Sequence, residues 1–223
     1  MVVNILLHRN VDYEQCLSLQ RFLQNLANKD GEDSFMLMID HPPVYTAGRH
    51  YNESDLVDRS VPVHHIERGG SYTYHGPGQL VVYFIVNLKH LGVTMRDFVS
   101  SVQHNEVELL SHYGIESESR TGTDAGIWVS GRKISSTGFS VMEFSTMHGI
   151  ALNINTDLSG FFKINPCGFP GELMTSMHQE TGKEIDYYQV RRKAMSLMLK
   201  TLGPQRLRIF YSMDRFCSAA GFQ

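Results

Sequence analysis

The chain has 223 residues, 42% hydrophobic and 19% charged, with a net charge of −3. That length fits one domain and buries roughly 70% of the surface its unfolded chain exposes. The slight acidity excludes an overall basic field, and with it nonspecific nucleic-acid binding as the main task. The longest apolar run, Leu80–Val86, is far short of the roughly 20 residues a membrane helix needs. The N-terminal Met1–Leu7 has neither the basic region nor the long apolar region of a signal peptide. Three cysteines, Cys16, Cys167 and Cys217, stand far apart without CxxC spacing, which suggests neither a zinc site nor a disulfide framework and points to a reducing compartment.

In chain order, Val2–Leu7 reads as a strand. Asp12 is an N-cap with Gln15 three residues on, and Cys16, Leu19, Leu23 and Leu26 fall on one face of the helix that follows. Phe35–Ile39 is a short buried strand, ended by His41-Pro42-Pro43. Val63–Ile66 and Leu80–Asn87 are further strands. Thr94 caps a helix with apolar positions at Met95, Phe98, Val99, Val102, Leu109 and Leu110, closed by Gly114. Gly126–Val129 and Lys133–Thr137 flank Ser130-Gly131 as a hairpin, and Met147–Asn155 is another strand. Asp186 and Gln189 open a last helix carrying Val190, Ala194, Leu197 and Met198. The sum is an α+β domain with mixed or antiparallel sheets and packed helices. No repeat or linker divides the chain, so 1–223 is taken as one domain.

Three stretches could carry chemistry. Arg68–Gln79 holds four glycines, a proline, an arginine and a histidine. Its glycines admit positive φ and close approach of a ligand, but match neither the dinucleotide fingerprint nor a P-loop. Lys133 follows a turn; it is either a solvated edge-strand lysine or, with a partner, an acid and base. Cys167 lies between Pro166 and Gly168 at a sharp bend that would present its sulfur, and a nearby ammonium would favour its thiolate. Cys16 and Cys217 read as inert. Of eleven histidines, His75 and His148 each adjoin a glycine beside a strand and could line a pocket. No H-x-x-x-H pair and no Gly-x-Ser-x-Gly elbow occurs.

Together these stretches resemble the lipoyl(octanoyl) transferase family. The residues that carry the likeness are Arg68-Gly69-Gly70, Thr73-Tyr74-His75, Gly78-Gln79 and Tyr83; Lys133-Ile134 with Gly138; His148-Gly149-Ile150-Ala151-Leu152-Asn153; and Pro166-Cys167-Gly168. His41–Arg49 is similar to the family's first loop. Order and spacing agree from about His41 to Gly168, over half of the chain.

The resemblance implies a fold like the catalytic domains of lipoate and biotin protein ligases, and a catalytic dyad of Cys167 and Lys133. It implies an acyl pocket from Arg68, Gly69, Gly70, Ser71, Tyr72, Thr73, Tyr74 and His75, from Ser136, Thr137 and Gly138, and from Gly149, Ile150 and Ala151. The implied activity is that of an acyltransferase at the first step of endogenous lipoylation. It would move octanoyl (or lipoyl) from acyl carrier protein, through a Cys167 thioester, to a lysine of a lipoyl domain. The acceptors would be 2-oxoacid dehydrogenase complexes and the glycine cleavage H protein. No metal and no ATP is expected, the donor being carried on phosphopantetheine. A monomer is expected, in the cytoplasm or, for a eukaryotic source, the mitochondrial matrix. Acidic partners could dock at a local basic patch of Arg49, Arg68, Arg132 and Lys133. The rival readings are an ATP-dependent lipoate–protein ligase and a non-catalytic acyl-binding protein.

Overall fold

The computed structural model describes residues 1–30 and 33–222, with backbone alone for Asp30 and Cys167. Its strands are β1 (Val2–Leu7), β2 (Asp33–Ile39), β3 (Val44–Ala47), β4 (Val63–His65), β5 (Tyr72–His75), β6 (Gln79–Ile85), β7 (Glu118–Arg120), β8 (Gly126–Val129), β9 (Arg132–Met142), β10 (Ser145–Asn153) and β11 (Arg206–Phe210). Its helices are α1 (Tyr13–Asp30), α2 (Leu88–Leu91), α3 (Met95–His112), α4 (Met177–Thr181), α5 (Tyr187–Leu202) and α6 (Met213–Ala220). Eight strands form one sheet in the order β11-β1-β2-β6-β10-β9-β8-β7, and three form a second in the order β4-β3-β5. In the large sheet β11, β1 and β2 run parallel and the remaining pairs are antiparallel.

The strand period of two sorts the apolar residues onto two faces. In β6, Leu80, Val82 and Phe84 join the core beneath α3 and α5, whereas Val81, Tyr83 and Ile85 join the core beneath α1 and α6. Because both faces are covered, β1, β2 and β6 are apolar at most positions. Helix α1 turns Cys16, Leu19, Leu23 and Ala27 to the sheet, and its first turn is capped by Asp12, whose Oδ1 accepts the Gln15 N–H at 2.9 Å. The result is a helix–sheet–helix sandwich with the small sheet beside it. This is the mixed α+β architecture expected from the sequence.

Three departures stand out. Helix α5 is not the last element: Gly203 ends it in the left-handed conformation, and β11 and α6 follow. β11 is not among the expected strands, although its arginines alternate with apolar residues over a short, mostly exposed segment. The loop-like stretches at Val44–Ala47 and Tyr72–His75 are paired strands of the small sheet. Glycines and prolines flank them, and their pairing is supplied by distant partners rather than by local pattern.

Candidate active site

A cleft opens where the small sheet meets β6, β9 and β10, a concave setting of the kind that holds small ligands. From the glycine-rich stretch it is lined by Arg68, Gly69, Gly70, Tyr72, Thr73 and His75. From β9 it is lined by Lys133, Ser136, Thr137 and Gly138, and from β10 by His148, Gly149, Ile150 and Ala151. The backbone allows this close assembly: Gly69 N donates to Phe139 O at 3.1 Å, and a Cβ on Gly138 would crowd Arg68 Cδ at 3.3 Å.

Lys133 reaches the cleft through a defect in the ladder. Ile127 of β8 pairs with Ser135, but the next residue, Trp128, pairs with Lys133, so Ile134 is an extra residue on β9. Such a bulge re-aims the side chains around it. Ile134 enters the core beneath α3, while Lys133 lines the cleft, 2% exposed, with Nζ 5.7 Å from the Trp128 ring centre. Gly126 makes room for it: a Cβ there would fall 2.7 Å from Lys133 Cε. Behind it, Thr175 N donates to the Lys133 carbonyl at 2.9 Å.

Arg68 is held by carbonyls and a hydroxyl. Nη2 donates to Thr46 O at 3.1 Å and Thr46 Oγ1 at 2.9 Å, and Nη1 to Gly69 O at 2.9 Å. His148 has φ +65° within a strand, a left-handed conformation that strains a residue with a Cβ and clusters at functional sites. Its N–H donates at 3.0 Å to Oε1 of the buried Gln20 of α1. Its Nε2 has no hydrogen-bond partner among the described residues.

Burial, and then the Arg68 charge, push His148 down to about 3. Burial, and then His41, push His75 down to about 3. Both rings are therefore neutral near pH 7. His75 Nδ1 lies 2.7 Å from Gln79 Oε1, Gln79 Nε2 donates to Asn153 Oδ1 at 2.9 Å, and Asn153 Nδ2 donates to Thr175 O at 3.0 Å. On the other wall Tyr83 OH lies 3.0 Å from His41 Nε2, whose Nδ1 faces the Val11 carbonyl at 2.7 Å. Because a carbonyl only accepts, His41 Nδ1 carries the proton and Tyr83 donates its own.

Two residues expected in the pocket lie elsewhere. Tyr74 packs instead against Phe161 and Tyr45. Ser71 is buried beside Asp55, to which its hydroxyl donates at 3.4 Å. Conversely Tyr13 of α1, Ile66 and Pro166 line the cleft. Tyr13 and Ile66 carry no sequence signal beyond that of core residues. Cys167 belongs to the turn Pro166–Gly168, with Gly168 at φ +80°; its side chain lies outside the described residues. Cys16 is fully buried and Cys217 half-buried, and burial raises both thiols, so neither is poised as a nucleophile. Of the basic patch, Arg68 and Lys133 are buried in the cleft. Arg132 is paired with Glu180 at 3.0 Å, and Arg49 is exposed.

A family model for the lipoyl protein ligase A/B catalytic domain matches residues 12–198, and the chain belongs to that family. It is 39% identical to "Probable octanoyltransferase 2" of Picrophilus torridus over 94% of this chain and 83% of that protein. It is 34% identical to the octanoyltransferase of Pseudomonas syringae pv. tomato over 86% of this chain and 87% of that protein. In fold it is similar to lipoate-protein ligase A bound with ATP, with TM-score 0.76 and 15% identity over 99% of this chain and 93% of that one. No helix among the described residues is long and apolar enough to cross a membrane.

Proposed function

We propose that this chain is an octanoyltransferase of protein lipoylation: it moves an octanoyl group from a carrier-protein thioester to a lysine of a lipoyl domain, using Cys167 and Lys133. The observation that carries this is the bulge that turns Lys133 into the cleft which Pro166, the neighbour of Cys167, also lines. Family membership and the octanoyltransferase relatives support the substrate class.

In the first half-reaction Lys133 takes the Cys167 proton, and the thiolate attacks the thioester carbonyl. Backbone N–H groups of the glycine-rich stretch or Gly138 stabilise the oxyanion. The C–S bond to pantetheine breaks, Lys133 protonates the departing thiol, and octanoyl remains on Cys167. In the second half-reaction the lysine amine attacks this thioester, Lys133 accepts its proton, an amide forms and the Cys167 thiol is restored. A thioester is already activated, so the scheme uses neither ATP nor metal. The donor would be octanoyl-acyl carrier protein. The acceptors would be lipoyl domains of 2-oxoacid dehydrogenase complexes and the glycine cleavage H protein, met by a monomer in the cytoplasm.

The test is transfer from octanoyl-carrier protein to an unmodified lipoyl domain, followed by mass spectrometry with and without ATP. Equal rates are expected. Transfer that requires ATP and free octanoate would replace this reading with that of a ligase.

A further inference from the structure

The tautomer of His75 can be read from the fixed end of its hydrogen-bond chain. Thr175 O is a backbone carbonyl and can only accept, so the Asn153 atom 3.0 Å from it is the amide nitrogen. Asn153 therefore turns Oδ1 to Gln79, whose Nε2 donates to it at 2.9 Å and to the Tyr74 carbonyl at 3.3 Å. That leaves Gln79 Oε1 facing His75 Nδ1 at 2.7 Å. An amide oxygen only accepts, so Nδ1 carries the proton, and in the neutral ring that burial favours Nε2 carries the lone pair. Asn153, Gln79 and Thr175 are at most 1% exposed, which closes the chain to rearrangement through water. Thr175 also donates its N–H to the Lys133 carbonyl. The His75 ring and the Lys133 strand are thus fixed to one buried residue.

His75 lines the cleft, where a ring acceptor has nothing to gain from the acyl carbonyl. A thioester carbonyl, and the oxyanion formed from it, bring only lone pairs. The attacking amine brings N–H groups. One of its protons leaves to Lys133, and an N–H that stays inside a buried cleft without an acceptor is costly. We propose that His75 Nε2 accepts an N–H of the incoming lysine and orients its amine, so that His75 serves the second half-reaction and not the first. This rests on the transferase reading and deepens it. The step balances as C–N bond formation, C–S bond cleavage, and passage of one proton from the amine through Lys133 to the Cys167 sulfur. Burial keeps the ring neutral, so the acceptor persists across the neutral range.

The two half-reactions can be timed separately by intact-protein mass spectrometry, with octanoyl-carrier protein as donor and an unmodified lipoyl domain as acceptor. His75→Phe keeps a ring but has no acceptor. It should load octanoyl at the parent rate and discharge it about tenfold more slowly or worse, the worth of one hydrogen bond. His75→Gln retains an oxygen acceptor and should discharge within about threefold of the parent, on the same scale. Unchanged discharge in His75→Phe, or loading slowed as much as discharge in a variant that melts like the parent, overturns the proposal alone. If His75→Phe does not fold, His75→Gln decides: a tenfold loss of discharge overturns the assignment. A parent chain that never loads octanoyl overturns the transferase reading and this proposal with it.

Discussion

Gly149 and Lys133 show how single residues build the cleft. A Cβ on Gly149 would overlap the Val82 carbonyl oxygen of the neighbouring strand, and backbone in a central ladder cannot step aside. Gly149→Ala is expected to cost about 3 kcal/mol, the upper range for overpacking, read as a lower urea midpoint. Lys133→Met keeps the buried stem and removes the amine. Loading of octanoyl onto the chain should slow by about 100-fold or more, as for loss of a general acid–base. Loading at the parent rate in that variant would remove Lys133 from the mechanism. The pocket is largely legible at this scale because glycines beside a ligand or a facing strand must be glycine, and they leave a mark in the sequence. Tyr13 and Ile66 leave no such mark, since lining a cleft and filling a core ask for the same side chains. Tyr74 departs from expectation because it fills the core of the small sheet with Tyr45 and Phe161, a packing that is invisible where Tyr72–His75 reads as loop.

Helices and hairpins with local signals are legible in the sequence, and those without are not. Val2–Leu7 matches β1, and Gly126–Val129 matches β8. The Ser130-Gly131 turn takes φ +48° and +80°, the twist that a two-residue hairpin requires. A Cβ on Gly131 would meet nothing within 4 Å, so Gly131→Ala should cost about 1 kcal/mol from conformation alone. A denaturation midpoint would record that loss, and transfer activity should stay unchanged; a much larger loss would mean that the turn does more than close the hairpin. The bulge at Ile134 has no signal in composition or period, since it exists only in the register of β9 against β8. Strand β11 and helix α6 do carry short local signals, the Arg-Leu-Arg-Ile alternation and the Ser212 and Gly221 caps, but their place is set by pairing with β1 and by the core beneath α1.

Across the whole molecule, buried titratable groups tie stability to pH. Burial pushes the Glu106 carboxyl, which accepts from Ser135 Oγ, up to about 8 from an ordinary 4.5. Between those values the folded chain holds a proton that the unfolded chain has released, so this group's contribution falls as pH rises. His41, His75 and His148 are pushed down to about 4, 3 and 3 from 6.5. The unfolded chain binds their protons first as pH falls below 6.5, so their contribution is lost on the acid side. Melting temperature should therefore peak near pH 6.5, where the histidine and carboxylate slopes meet. Glu106→Gln should flatten the alkaline side and leave the acid side in place, whereas an unchanged alkaline slope would assign it to another group.

The central claim is that Cys167 carries the acyl group. The most direct measurement is the intact mass of the chain after exposure to octanoyl-carrier protein without ATP. One octanoyl unit should appear on the parent chain, disappear when a lipoyl domain is added, and be absent from Cys167→Ala, which should also fail to transfer. Full-rate transfer by Cys167→Ala would contradict the account.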